Sequence, residues 1–124
     1  MRTICKIQIP VDVNLANPNR IGSLHWSKQR KIKSKLALVA RAYWVKAGKP
    51  VSDSPVNVHV TIRRARSLDN DNAIASLKPL IDGLFKKAIT PDDSSKWVRL
   101  LIPTQEVGEI FDKHESVEFL VTAR

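Results

Sequence analysis

Val56-Asn57-Val58-His59-Val60-Thr61-Ile62-Arg63-Arg64-Ala65-Arg66-Ser67-Leu68-Asp69-Asn70-Asp71-Asn72-Ala73-Ile74-Ala75-Ser76-Leu77-Lys78-Pro79-Leu80-Ile81-Asp82-Gly83-Leu84 changes its hydrophobic period once, and that change decides the fold. Val56, Val58, Val60 and Ile62 alternate with Asn57, His59 and Thr61, as a strand with one buried face requires. Beyond Asn72 the apolar residues Ile74, Leu77, Ile81, Leu84, Phe85 and Ala88 fall within one helical sector. A strand therefore feeds a helix through a run of four consecutive Asx residues, Asp69 to Asn72.

That run, answered by Asp92-Asp93, needs a reason in a chain of formal net charge +9. Two carboxylates about 4 Å apart repel by roughly 4 kcal/mol at an effective dielectric near 20, a cost that a hard divalent cation removes. The competing reading is helix capping and turn chemistry, for which Asp, Asn and Ser are the preferred residues. One cap needs only one side chain. An EF-hand loop is excluded: counting from Asp69, Ala73 stands at a ligand position, Ile74 where glycine is needed and Leu80 where the bidentate Glu belongs.

If the backbone is still extended at the motif, Asp69 and Asp71 point to one side and can share one cation. In a helix, Asp71, Lys78 and Asp82 lie within about 40° of one another, which aims Lys78 back toward the acids. Pro79 predicts a kink, or a fresh helix starting near it, because it lacks an N–H and collides with the carbonyl of Ala75.

Working outward, Thr3 to Ile9 alternates and stops at Pro10, a first strand. Val11 to Gly22, rich in Asn and Pro, reads as a loop long enough to be functional. Ser23 is placed to cap a helix over Leu24 to Ala47, with Ile32, Leu36, Val39, Tyr43 and Ala47 as its core stripe and Gly48-Lys49-Pro50 as its stop. On the other side, Thr90-Pro91 leads to Asp92-Asp93, Trp97 to Ile102 is a third strand and Glu115 to Thr122 a fourth. Pro103 to His114 reads as a solvated loop or hairpin end. The order is β-α-β-α-β-β in a single α+β domain spanning 1–124, and its length suits one modest core.

Charge is unevenly divided. Up to Pro50, eleven basic residues face Asp12 alone, a net +10, whereas the remainder nets −1. Lys28, Arg30, Lys31, Lys33 and Lys35, with Trp26 nearby, crowd the early turns of the first helix, and Arg63, Arg64 and Arg66 follow the second strand. Such residues are candidate phosphate contacts, against a solvated charged face as the plain alternative. The lone Cys5 excludes an internal disulfide and multi-cysteine metal sites, and His25, His59 and His114 match no ligand spacing. No apolar run approaches a membrane span, and the start lacks the apolar region of a signal peptide, so a cytoplasmic protein is expected.

Taken as a set, Asp69-Asn70-Asp71-Asn72, Lys78, Asp82-Gly83-Leu84 and Pro91-Asp92-Asp93 resemble the RusA-like Holliday junction resolvases, small endonucleases mostly of phage or prophage. The likeness is strong from Val58 to Val98 and generic outside it. It implies an α/β-like mixed four-stranded sheet flanked by two main helices, a homodimer in the bacterial cell, and a Mg²⁺-dependent site, with Mn²⁺ as a substitute, that cuts branched DNA. By position it implies Asp69, Asp71, Lys78 and Asp93 as catalytic residues, with Asp69, Asp71 and Asp93 holding metal and Asp92 beside them. The spacer from Asn72 to Lys78 is longer than in the archetype. Leu68 stands where the archetype is basic, which makes Arg66 the candidate substitute.

The expected activity is hydrolysis of phosphodiesters in four-way DNA junctions during recombination and repair. The same chemistry on flaps, forks or RNA is the close alternative. A basic nucleic-acid-binding protein whose acids only cap helices is the non-enzymatic one.

Overall fold

The computed structural model describes residues 2–124. The alternating strand expected around Val56 extends through Arg64 as β2 (Val56–Arg64) and lies inside the sheet, its valines and Ile62 buried and its polar residues half-exposed. It pairs antiparallel with β5 (Ser116–Ala123), which pairs antiparallel with β1 (Thr3–Ile9). The sheet is thus β1-β5-β2, with β3 (Val98–Leu100) and β4 (Thr104–Val107) parallel to β2 at its other edge.

β3 and β4 follow one another along β2, at Val56–Val58 and Thr61–Arg64. Between them stands the buried Pro103, which has no N–H to give to a ladder. The sheet has five strands rather than four because Thr104-Gln105-Glu106-Val107, expected as loop, is paired. Its residues are mostly exposed, so no apolar alternation marks it. Distant side chains hold it: Arg63 Nε donates to Glu106 Oε2 at 2.9 Å, and the Gln105 amide bonds both backbone groups of Leu68 at 2.7 Å each.

One core lies between the sheet and the helices, built from Ile7, Ile9, Val58, Val60, Phe119 and Val121 against Leu36, Ala40, Leu77, Leu84 and Phe85. The fold is mixed α+β with two main helices, as expected. The segment Val11 to Gly22 is not a free loop. Asp12 accepts from Asn14 N to start a 3₁₀ turn over Val13–Ala16, and Asn17 accepts from Asn19 N to start the short α1 (Pro18–Ile21). Val13, Ala16 and Ile21 are buried, so these turns serve packing.

Helix α2 runs over Trp26–Lys46 and begins later than expected. Ser23 belongs to the turn that closes α1, where Leu24 N donates to Ile21 O, and the cap is His25, whose Nδ1 accepts from Ser27 N. Leu36 and Ala40 are buried and Ile32, Val39 and Tyr43 half-buried, whereas Ala47 is exposed past the last turn. Gly48 ends the helix at φ +92, a conformation that only glycine adopts freely.

Helix α3 covers Asn70–Leu84, and Pro79 sits inside it without splitting it. The expected break comes instead after Leu84: a π turn over Phe85–Ile89 contains Lys87 at φ 55, ψ 38. α2 and α3 meet at Gly83, where a Cβ would lie 2.2 Å from the carbonyl oxygen of Ala37, so no larger residue fits. Arg41 seals this junction, Nε donating to Gly83 O and Nη2 to Lys86 O.

Candidate functional site

Asp69 is the N-cap of α3 by position, yet its carboxylate makes no capping hydrogen bond; its carbonyl accepts from Ala73 N at 2.8 Å. Asp71 lies in the first helical turn. Both are exposed. The chain is already helical at Asn70, so the extended geometry that would set Asp69 and Asp71 side by side is not the one adopted. The simple capping explanation also lacks its bond.

Lys78 lies about 10 Å farther along the helix axis, and Asp82 about 16 Å from Asp71. The structure gathers a different trio. Lys78 Nζ is 3.0 Å from Asp82 Oδ1, an i,i+4 pair, and 2.5 Å from Asp93 Oδ2, which arrives from the segment before β3. Asp69 and Asp71 are therefore at the start of α3, and Lys78 and Asp82 in its second half, where Asp93 meets Lys78. Among the described residues no three His, Cys, Asp or Glu side chains converge on one point. Two carboxylates do, Asp82 and Asp93, on the ammonium of Lys78.

The electrostatics of the trio are coupled. The hydrogen bonds with Asp82 and then Lys78 hold the Asp93 carboxyl down to about 2. Burial, and then the hydrogen bond with Asp93, pushes Asp82 upward. The hydrogen bond to Asp93 raises Lys78. With both acids ionised the trio carries a net −1. Asp92 is placed otherwise: its Oδ1 accepts from Ser94 N at 2.8 Å, a turn whose hydrogen bonds hold its carboxyl low. Asp82, which sequence reasoning left out of the site, was signalled by its position four residues after Lys78.

The basic residues divide into two groups. Arg63 pairs with Glu106 and Glu118, and Arg64 with Asp12 at 2.8 Å while donating to Arg66 O. These two arginines tie strands and turns together and are not free for phosphates; Arg66 is exposed. By contrast Lys28, Arg30, Lys31, Lys33 and Lys35 are all exposed and, among the described residues, none has a carboxylate within 4.0 Å. They occupy the first half of α2, whose first turn holds no acid, against the preference of the helix dipole.

At 100° per residue these cations form two rows, Lys28-Lys31-Lys35 and Arg30-Lys33, the second in line with Trp26. Lys33, at the end of the second row, borders a groove of about 580 Å³ between α2 and α3. Gln29, Lys33 and Ala37 line one wall and Ala75, Lys78 and Asp82 the other. The groove thus joins Lys33 of the unpaired basic face to the Lys78–Asp82 pair. The Lys78 ammonium already bridges the Asp82 and Asp93 carboxylates, so a hard ion, which takes one or two carboxylates and keeps waters or phosphate oxygens for its other positions, would have to displace it.

No helix among the described residues is long and apolar enough to cross a membrane. No protein-family model matches the chain, and searches of curated proteins and of solved structures return no match.

Proposed function

We propose that this chain is a Mg²⁺-dependent endonuclease that cuts branched DNA, four-way junctions in the first place, as a homodimer. The observation that carries the reading is the groove whose walls bear unpaired Lys33 on one side and the Lys78–Asp82 pair on the other, Lys78 being bonded also to Asp93. The basic rows of α2 hold the phosphate backbone. Asp93 and Asp82 would hold the ion once Lys78 turns from them to the phosphate, and Asp69 and Asp71 add negative charge at the start of α3. A bound Mg²⁺ supplies a water of lowered pKa and stabilises charge on the phosphate. Lys78 donates hydrogen bonds to the phosphate oxygens as their charge grows. A twofold dimer presents two such sites to two strands of a junction.

The separation of Asp69 and Asp71 from Asp93 favours one second reading, a basic DNA-binding protein without catalysis. Incubation with a labelled four-way junction and a matched linear duplex, in Mg²⁺ or EDTA, separates the two. Mg²⁺-dependent nicks in the junction, lost in Asp93→Asn while junction binding persists, are expected. Binding without nicks across divalent ions and branched substrates would establish the second reading.

A further inference from the structure

Trp26 is 62% exposed at the first turn of α2, an uncommon place for a large aromatic ring. It does not pack in the core. Its ring is flanked instead by polar groups, with the Arg30 guanidinium 4.9 Å from its centroid and the His25 ring at 5.5 Å, tilted by 35°. His25 is itself held by its capping contacts with Ser27, so the base of this arrangement is anchored. The other two tryptophans are half-buried, and Trp44 Nε1 donates to Pro50 O.

Helix geometry adds direction. Trp26, Arg30 and Lys33 share one row, Lys33 lines the groove that reaches Lys78 and Asp82, and Trp26 stands about 10 Å up the axis from Lys33. An exposed π-face, a guanidinium beside it and a run of unpaired cations leading away from it match the way single strands are held, by base stacking and a basic track.

We infer that Trp26 is a stacking platform for one unpaired base of a single DNA strand, which continues along Arg30 and Lys33 into the groove. The inference rests on the reading of α2 as a DNA-binding face. Its occupant is an unpaired nucleobase, because paired bases inside a duplex do not offer their faces.

The test is binding in EDTA, independent of cleavage, of wild type, Trp26→Phe, Trp26→Ala and Lys31→Ala to a thymidine oligonucleotide and to a linear duplex. Trp26→Ala is expected to weaken binding of the oligonucleotide about 5- to 150-fold, the equivalent of ~1–3 kcal/mol per stacked base, and to leave the duplex unchanged. Trp26→Phe retains most of the affinity. Fluorescence quenching on binding is expected in wild type and is expected to disappear in Trp26→Phe. Thermal melts show whether the variants fold. Equal oligonucleotide affinity in folded Trp26→Ala overturns the platform while the DNA-binding reading stands. A change of oligomeric state in that variant with DNA affinity unchanged assigns Trp26 to a protein interface and overturns it too. Failure of wild type to bind either DNA overturns both readings together.

Discussion

Lys78 Nζ lies 2.5 Å from Asp93 Oδ2, joining the middle of α3 to the segment that enters β3, and the same ammonium reaches Asp82 at 3.0 Å. One lysine thus sets the positions of two carboxylates that are eleven residues apart in sequence. The Lys78 side chain is itself 62% exposed, so solvent screens both pairs.

That combination predicts a large effect on activity and a small one on stability. Lys78→Ala is expected to lower cleavage about 10²- to 10³-fold, as loss of one positioned donor to a developing oxyanion does. The change in unfolding free energy should stay within ~1 kcal/mol. Single-turnover cleavage and urea unfolding on the same preparations check both.

The pH dependence follows from the opposed shifts of the two acids. Asp93, held at about 2 from an ordinary 3.8, contributes stability that is present above about 4 and is lost as pH falls toward 2. Asp82, pushed upward, contributes in the reverse sense: its share is present at low pH and is lost as pH rises through its folded value. Urea unfolding from pH 2 to 6 should show a flatter acid limb in Asp93→Asn than in wild type. In Asp82→Asn the loss of stability on rising pH should disappear. An unaltered profile in both variants would count against the coupled trio.

Gln105 supports the approach to the acidic motif, since Leu68 precedes Asp69 and gives both its backbone groups to the one amide. Gln105→Ala leaves a part-buried N–H and carbonyl without partners and is expected to cost about 1–3 kcal/mol. Gln105→Glu keeps an acceptor for Leu68 N but loses the donor to its carbonyl. Chemical denaturation, with hydrogen exchange at the Leu68 amide, measures the loss and places it.

The two sets of cations should respond differently to substitution. Lys31→Ala and Lys35→Ala are each expected to weaken DNA binding and to reduce the salt dependence of log K by nearly one unit where a phosphate contact is lost. Arg64→Ala removes the partner of Asp12 and is expected to destabilise the fold with the salt slope unchanged. Binding titrations over a range of salt concentrations, beside thermal melts, separate the groups. An unchanged slope in both lysine variants would place the DNA surface elsewhere.

Much of the architecture is legible in the chain because it depends on neighbours in sequence. β1, β2 and β5 follow from alternation, α2 and α3 from apolar residues three and four apart, and the end of α2 from Gly48. The hidden parts were decided by residues far apart. β4 has no pattern of its own and exists through β2, Glu106 and the clamp of Gln105 on Leu68. Pro79 broke nothing because α3 continues through it, buried against the core.

The same division runs through the candidate site. By itself the sequence determined which residue types are present: carboxylates suited to a hard cation, a lysine beside them, and a basic helix with no acids to neutralise it. Only the tertiary structure decided which of them meet. A helix rises about 1.5 Å per residue, so its onset at Asn70 carries Lys78 and Asp82 away from Asp69 and Asp71. The return of the chain before β3 then gives Asp93 to Lys78, while Arg63 and Arg64 are taken up by acids from other strands and turns.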